Sequence, residues 1–266
     1  MSKESRMNLI TVEHGKCKKD GICLDVCPTG YLRADAEGLP VENPEANCIA
    51  CGHCVAVCPH GALSHAKLPV SAFTPVPKTK PSFELTEGLL NSRRSIRAFK
   101  TDPIERPTLE KLLDVARRAP TASNSQKVGW IMIQDPAQTR RLAEGVMGWM
   151  RRSNAMPLFL KMWDQGREVV LRGAPHAVLA CAPTDYAWAD VDCAIALTHL
   201  ELAASSLKLG ACWAGILVRA LSQDPDLAKT LPIPEGSKVS GALMLGVPKY
   251  KYRLIPPRNA AQVAWI

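Results

Sequence analysis

The chain has 266 residues, 47% hydrophobic and 22% charged, with a formal net charge of +8 and a pI near 9.0. Such a length buries a sizeable core and suits one large or two modest domains, and the lack of any run of 18 apolar residues excludes a membrane-spanning helix. Aromatics at 5%, with lysine and arginine scattered instead of packed into a tail, argue against nucleic acid as a partner.

The chain begins with a polar stretch, Met1 to Ile10, without an apolar segment of the kind secretory signals carry, so a soluble protein in the reducing cytoplasm is expected. Seven of the ten cysteines follow in two similar runs. The first holds Cys17, Cys23 and Cys27 followed by Pro28, with Asp20 where a fourth cysteine would complete the frame. The second holds Cys48, Cys51, Cys54 and Cys58 followed by Pro59, the C-x2-C-x2-C-x3-C-P spacing of bacterial ferredoxins. In that pattern the last cysteine of each run serves the other cluster. One 4Fe–4S cluster is therefore expected on Cys48, Cys51, Cys54 and Cys27. A second is expected on Cys17, Cys23 and Cys58, with either the Asp20 carboxylate or no protein ligand in fourth place. A carboxylate is a harder, weaker donor to iron than a thiolate, so Asp20 would leave a labile iron. Asp at this place resembles a minority of ferredoxins, a resemblance that implies a cluster passing between 4Fe–4S and 3Fe–4S forms. Structural zinc suits neither run, because zinc sites are typically closed by four ligands from spaced pairs.

Residues 1–66 thus read as a small ferredoxin-like α+β domain that bound metal must hold together, its own core being slight. The stretch 67–82, with Pro69, Pro75, Pro77 and Pro81, reads as an extended linker, and 83–266 as a larger α/β domain. In that domain Thr108 looks like the N-cap of a helix carrying Leu109, Leu112, Leu113 and Ala116 and ended by Pro120. Val128–Gln134 and His176–Ala182 read as buried strands, and Asp192–Leu209 as a long buried helix stopped by Gly210. Cys212–Val218 and Val239–Val247 read as further strands. The segment from Gly145 to Trp163, with Met147, Trp149, Met150, Met156, Met162 and Trp163, reads as core or dimer packing, or alternatively as a lid. Cys181, Cys193 and Cys212 read as buried thiols. A general acid could be a water or a residue such as His176, but a histidine next to Pro175 at a strand start reads as structural.

Three segments carry a cofactor argument. Arg93, Arg94, Ser95 and Arg97 gather cationic and hydroxyl donors suited to phosphate. Ala119–Gln126 is a loop of small hydrogen-bonding residues, and Arg253 and Arg258 flank a Pro-Pro pair near the end. The run Arg93-Arg94-Ser95-Ile96-Arg97-Ala98-Phe99, the loop Ala119–Gln126 before an apolar strand, and the run from Leu209 to Gly215 after a long helix together resemble the FMN-dependent nitroreductase family over residues 84–266. The resemblance implies a homodimeric α+β sandwich. It implies that Arg93, Arg94, Ser95 and Arg97 hold the FMN phosphate, ribityl chain and pyrimidine edge, with Arg258 a further phosphate contact. The partner chain would supply Pro120, Thr121, Ala122 and Asn124, and Ala214 and Gly215 would approach the isoalloxazine ring. The family often has Pro-Trp after the loop's glutamine; here Gln126 is followed by Lys127, Val128 and Gly129, with Trp130 displaced.

The fusion implies single electrons passing through the clusters to FMN, which reduces a nitroaromatic, quinone or similar acceptor by hydride transfer with no side-chain nucleophile. The donor is expected to be reduced ferredoxin or NAD(P)H, and the basic balance suits an acidic electron-transfer protein such as ferredoxin or flavodoxin. The rival reading is a flavoprotein relay or redox sensor with a protein partner and no small-molecule substrate.

Overall fold

The computed structural model describes residues 8–266, so most of the stretch Met1–Ile10 lies outside the described residues. The chain divides into two compact units, one of residues 1–80 with 123–125, the other of residues 81–122 with 126–266.

The first unit is a twofold repeat. Strand β1 (Ile10–Val12) leads to helix α1 (Ile22–Asp25), hairpin strands β2 (Leu32–Ala34) and β3 (Pro40–Glu42), helix α2 (His53–Val57) and strand β4 (Leu63–His65). β1 pairs antiparallel with β4, and β2 with β3. Each short helix starts on a glycine in the left-handed region, Gly21 at φ 75° and Gly52 at φ 73°, a conformation that side chains with a Cβ adopt only at a cost. The turn is thus the same in both halves, 31 residues apart. The core is small: Ile10, Tyr31, Leu32, Ala62 and Leu63 close around cysteine side chains.

The second unit opens with α3 (Phe83–Ser92), whose Ser82 N-cap accepts the Leu85 N–H at 3.3 Å. There follow α4 (Arg106–Ala116), β5 (Gly129–Ile133), α5 (Pro136–Arg152), α6 (Pro157–Asp164), β6 (His176–Pro183), α7 (Ala189–Ser206), β7 (Gly210–Trp213), α8 (Gly215–Gln223), α9 (Pro225–Ala228) and β8 (Ser237–Gly246). The strands form one sheet in the order β5-β6-β8-β7, every neighbouring pair antiparallel. β6 shows why the sheet is covered on both sides. Its Ala177, Leu179 and Cys181 pack into one core with α5 and α8, while Val178, Ala180 and Ala182 face α4 and α7. The unit is a helix–sheet–helix α+β sandwich, as the resemblance implies.

Two local expectations are corrected. α4 starts at Arg106 after Glu105, with Pro107 in its first turn, so Thr108 lies inside the helix. Proline is preorganised for a first turn, and this outweighs the threonine signal. The strand expected over Cys212–Val218 ends at Trp213, and Gly215 opens α8. A short apolar run does not separate strand from buried helix; here burial of Leu217, Ala220 and Leu221 follows the helical period. Within the segment 145–163, Met147, Trp149 and Met150 are buried on α5, and Met156, Met162 and Trp163 pack against the same core.

Candidate functional site

In the first unit, Cys27 of the first cysteine run lies with the second run, and Cys58 of the second lies near Cys17 and Cys23 of the first. Cys27, Cys48, Cys51 and Cys54 line one small cavity with Tyr31 and His65. Burial and then the neighbouring Cys48, Cys51 and Cys27 sulfurs push the Cys54 thiol up to about 11, so a thiolate there needs compensating positive charge. In the other group, burial raises the Cys23 thiol, and the charges of Cys17, Cys58 and Asp20 raise it further. Backbone N–H groups turn toward the sulfurs: Tyr31 donates to Cys27 Sγ at 3.2 Å, Ala50 to Cys48 Sγ at 3.4 Å and Ala62 to Cys58 Sγ at 3.4 Å. Among the described residues no three His, Cys, Asp or Glu side chains converge closely enough to hold a single metal ion. The donor set, sulfurs in the C-x2-C-x2-C-x3-C-P spacing, is that of an iron–sulfur cluster, whereas structural zinc sites draw four ligands from spaced pairs. Asp20 lies in this second group. Its Oδ1 accepts the Ile22 N–H at 3.2 Å, and its Oδ2 is 3.6 Å from His60 Nε2.

In the second unit the basic run is stitched to the sheet. Ser95 bridges in parallel to Ala211 on β7, and the Ile96 N–H donates to the Ala211 carbonyl at 3.0 Å. Arg93 Nη1 lies 3.0 Å from Glu201 Oε1 of α7, a carboxylate whose side chain is 7% exposed. Arg94 donates to the Arg93 carbonyl at 2.7 Å and the Asn91 carbonyl at 2.8 Å, closing the end of α3. Arg97 donates to the Ser95 carbonyl at 3.3 Å. Beside this run lies an open cavity of about 530 Å³ whose walls include Arg93, Arg94, Lys100, Lys208, Lys251 and Glu201. Five cations facing one carboxylate make it suited to an anion such as a phosphate. Lys100, Lys208 and Lys251 had no motif to mark them, being single lysines whose convergence depends on the fold.

The loop Ala119–Gln126 is fixed from the second unit by Asp192. Its buried carboxylate accepts the Ala122 N–H at 3.1 and 3.2 Å and the Tyr186 hydroxyl at 2.6 Å. Thr121 Oγ1 accepts the Gln126 N–H at 3.0 Å. Ser123, Asn124 and Gln126 have φ values of 50°, 52° and 50°, a concentration of left-handed backbone outside glycine; Asn124 groups with the first unit. Pro120 is exposed in the same loop. Ala214 is buried and gives its N–H to the Ala242 carbonyl at 2.9 Å, whereas Gly215 is exposed at the start of α8 with open space where a Cβ would point. Arg258 lies in the exposed C-terminal stretch. His176 is fully buried: the Ile104 N–H donates to its Nε2 at 2.7 Å, so Nδ1 carries the proton given to the Gln134 carbonyl at 2.8 Å. Both ring nitrogens are used, and no general acid is available there. Cys181, Cys193 and Cys212 are buried.

Among the described residues no helix is long and apolar enough to cross a membrane. A family model for the nitroreductase family matches residues 90–247, and one for a 4Fe–4S dicluster domain matches residues 9–59. An NADH dehydrogenase of Thermus thermophilus is 28% identical over 176 residues, covering 59% of this chain and 83% of its own. An arsenate respiratory reductase iron-sulfur subunit of a Shewanella species is 42% identical over 45 residues, covering 17% of this chain and 19% of its own. A nitroreductase structure with bound FMN from Desulfitobacterium hafniense superposes with a TM-score of 0.59 at 22% identity, over 68% of this chain and 97% of that one, which establishes the shared fold. The antiparallel sheet between two helical layers, the basic run on its β7 edge and the match over residues 90–247 lead to one conclusion: the chain belongs to the nitroreductase family and carries an N-terminal 4Fe–4S dicluster domain.

Proposed function

We propose that the chain is an iron–sulfur flavoprotein oxidoreductase: electrons from reduced ferredoxin or NAD(P)H reach FMN, with the clusters as input, and leave to a nitroaromatic, quinone or similar small acceptor. The observation that carries this reading is the presence, in one chain, of two crossed sulfur groups and a cationic cavity on the edge of a nitroreductase sheet. When bound, the clusters supply one-electron transfer and FMN supplies exchange between one- and two-electron chemistry. Cys27, Cys48, Cys51 and Cys54 would hold one cluster. Cys17, Cys23 and Cys58 would hold the other, with Asp20 as an oxygen ligand. Arg93, Arg94, Ser95, Arg97 and Arg258 would hold the phosphate, ribityl chain and ring edge, and the exposed Gly215 leaves room for a ring to approach. The loop residues Pro120, Thr121, Ala122 and Asn124 would serve the partner chain's flavin in a homodimer. Exposed apolar side chains, among them Phe83 at 74%, Leu254 at 84% and Trp265 at 91%, support such an assembly. The domain limits 1–66, 67–82 and 83–266 and a cytoplasmic place belong to the same proposal, as does an acidic protein donor suited to the net charge of +8.

The test is stopped-flow reduction of the flavin by reduced ferredoxin under anaerobic conditions. Protein with Cys51→Ala and Cys54→Ala should keep its flavin but lose most of the rate. An unchanged rate would show that the clusters are not the input path. Asp20→Cys should abolish the 3Fe–4S signal that mild oxidation produces in the parent protein; conversion as ready as in the parent would remove Asp20 from the ligand set.

A further inference from the structure

The buried histidine that closes β4 touches a sulfur of the cluster group. His65 is 4% exposed, and its Nε2 lies 3.5 Å from Cys48 Sγ. The tautomer follows from the other nitrogen. The Lys67 backbone N–H, which can only donate, points at His65 Nδ1 from 3.0 Å, so Nδ1 is the acceptor and the neutral ring carries its proton on Nε2. The ring cannot easily turn away. β4 pairs with β1, setting His65 opposite Ile10, the His65 carbonyl accepts the Leu68 N–H at 3.0 Å, and the Ala66 N–H is bonded to the Leu9 carbonyl at 2.7 Å. The same sulfur takes the Ala50 N–H at 3.4 Å. Among the described residues, Cys48 is the one cysteine whose sulfur faces both a backbone N–H and an imidazole nitrogen.

We propose that His65 is a positioning residue that donates its Nε2–H to the Cys48 thiolate and raises the reduction potential of the cluster held by Cys27, Cys48, Cys51 and Cys54 above that of a cluster without this donor. The physical ground is general: reduction adds negative charge to the cluster, and a hydrogen bond to a ligand sulfur stabilises the more negative state. The twofold repeat offers an internal contrast. Among the described residues, no histidine bonds the sulfur of Cys17, which stands where Cys48 stands in the other half. The two clusters would then differ in potential through His65 as well as through Asp20, and electrons would settle first on the Cys48 cluster. This inference rests on the reading that those four cysteines hold a cluster, and iron analysis checks that reading separately.

The experiment is an EPR-monitored potentiometric titration of the full chain with iron counted in each sample. His65→Phe, which keeps the bulk and removes the donor, should keep its iron and lower one midpoint potential while the other stays in place. The expected change is about three- to tenfold in the one-electron equilibrium, the upper end corresponding to about 59 mV. His65→Gln, which restores an N–H donor, should recover much of the shift. An unchanged potential in iron-replete His65→Phe, or an equal drop in both variants, overturns the proposal. Should either variant lose iron, the protein labelled with 15N-histidine in a His53→Ala background answers instead. A nitrogen coupling on the reduced Cys48 cluster supports the bond, and its absence overturns it.

Discussion

Arg93 and Glu201, 108 residues apart in sequence, meet at 3.0 Å with the glutamate side chain 7% and the arginine side chain 25% exposed. Burial raises the Glu201 carboxyl while Arg93 draws it down, so the pair is held by mutual charge. Removing the cation alone leaves a buried carboxylate without a partner. Arg93→Ala should therefore cost about 3 to 5 kcal/mol of stability in denaturant titrations, besides weakening FMN binding. Glu201→Gln added to Arg93→Ala should restore part of the stability and none of the affinity. Recovery of both would mean that Arg93 acts only through its fold contact.

His176 gives a pH dependence. Burial depresses its basicity below the ordinary 6.5 of a histidine, and both ring nitrogens are engaged in the neutral form. The unfolded chain then binds the extra proton more readily than the fold does. Its contribution is complete above pH 6.5 and is lost as the pH falls through that value toward the lower folded one. Tm should drop between pH 7.5 and 5.5, and His176→Asn should flatten that drop while lowering Tm at both pH values. An acid limb of the same slope in parent and variant would assign the effect to other groups.

Asp192 should prove as important to the loop Ala119–Gln126 as any residue within it. Asp192→Ala leaves the Ala122 N–H and the Tyr186 hydroxyl without their carboxylate, a loss of about 1.5 to 3 kcal/mol per charged bond before compensation by water. Tyr186→Phe should cost about 1 kcal/mol. FMN titration by fluorescence quenching, read beside Tm, should show weaker binding in Asp192→Ala. Binding as tight as in the parent would detach this loop from the flavin.

The paired glycines of the first unit offer a controlled comparison. Gly21 and Gly52 share the left-handed backbone, which costs a residue with a Cβ about 1 to 2 kcal/mol. A Cβ on Gly21 meets nothing within 4 Å, but on Gly52 it meets Leu68 and Phe73 at 3.1 Å. Gly52→Ala should thus lose iron to a chelator faster than Gly21→Ala, as followed by visible absorbance. The reverse order would place the weaker half of the repeat at Gly52.

The 4Fe–4S dicluster domain was readable because iron imposes a spacing, and the cysteines from Cys17 to Cys58 keep it in the sequence whatever surrounds them. β6 was readable from its unbroken apolar run between two prolines. What the sequence hid depends on partners far away. Glu201 interrupts an apolar helix, but its charge gains meaning only when Arg93 is brought to it. His65 follows the second cysteine run without a motif, and its ring is aimed by β1. The insertion of β8 between β6 and β7 has no local signature, since strand order is settled by packing on both faces of the sheet. At Trp213–Gly215 the chain passes from strand to helix within three residues, too abruptly for an apolar run to announce.

The seam between Ser95–Ile96 and β7 has a protective consequence. β7 is an outermost strand, and a bare outer strand offers unsatisfied N–H and C=O groups on which another chain can extend the sheet. Ile96 occupies that flank at close quarters: a Cβ on Gly210 would come within 2.6 Å of it, so the glycine is what lets the segment lie flush. The basic run proposed to hold the flavin phosphate is thereby also the blunted border of the sheet. Loosening it would invite strand-to-strand aggregation as well as loss of ligand, and the two failures would arrive together.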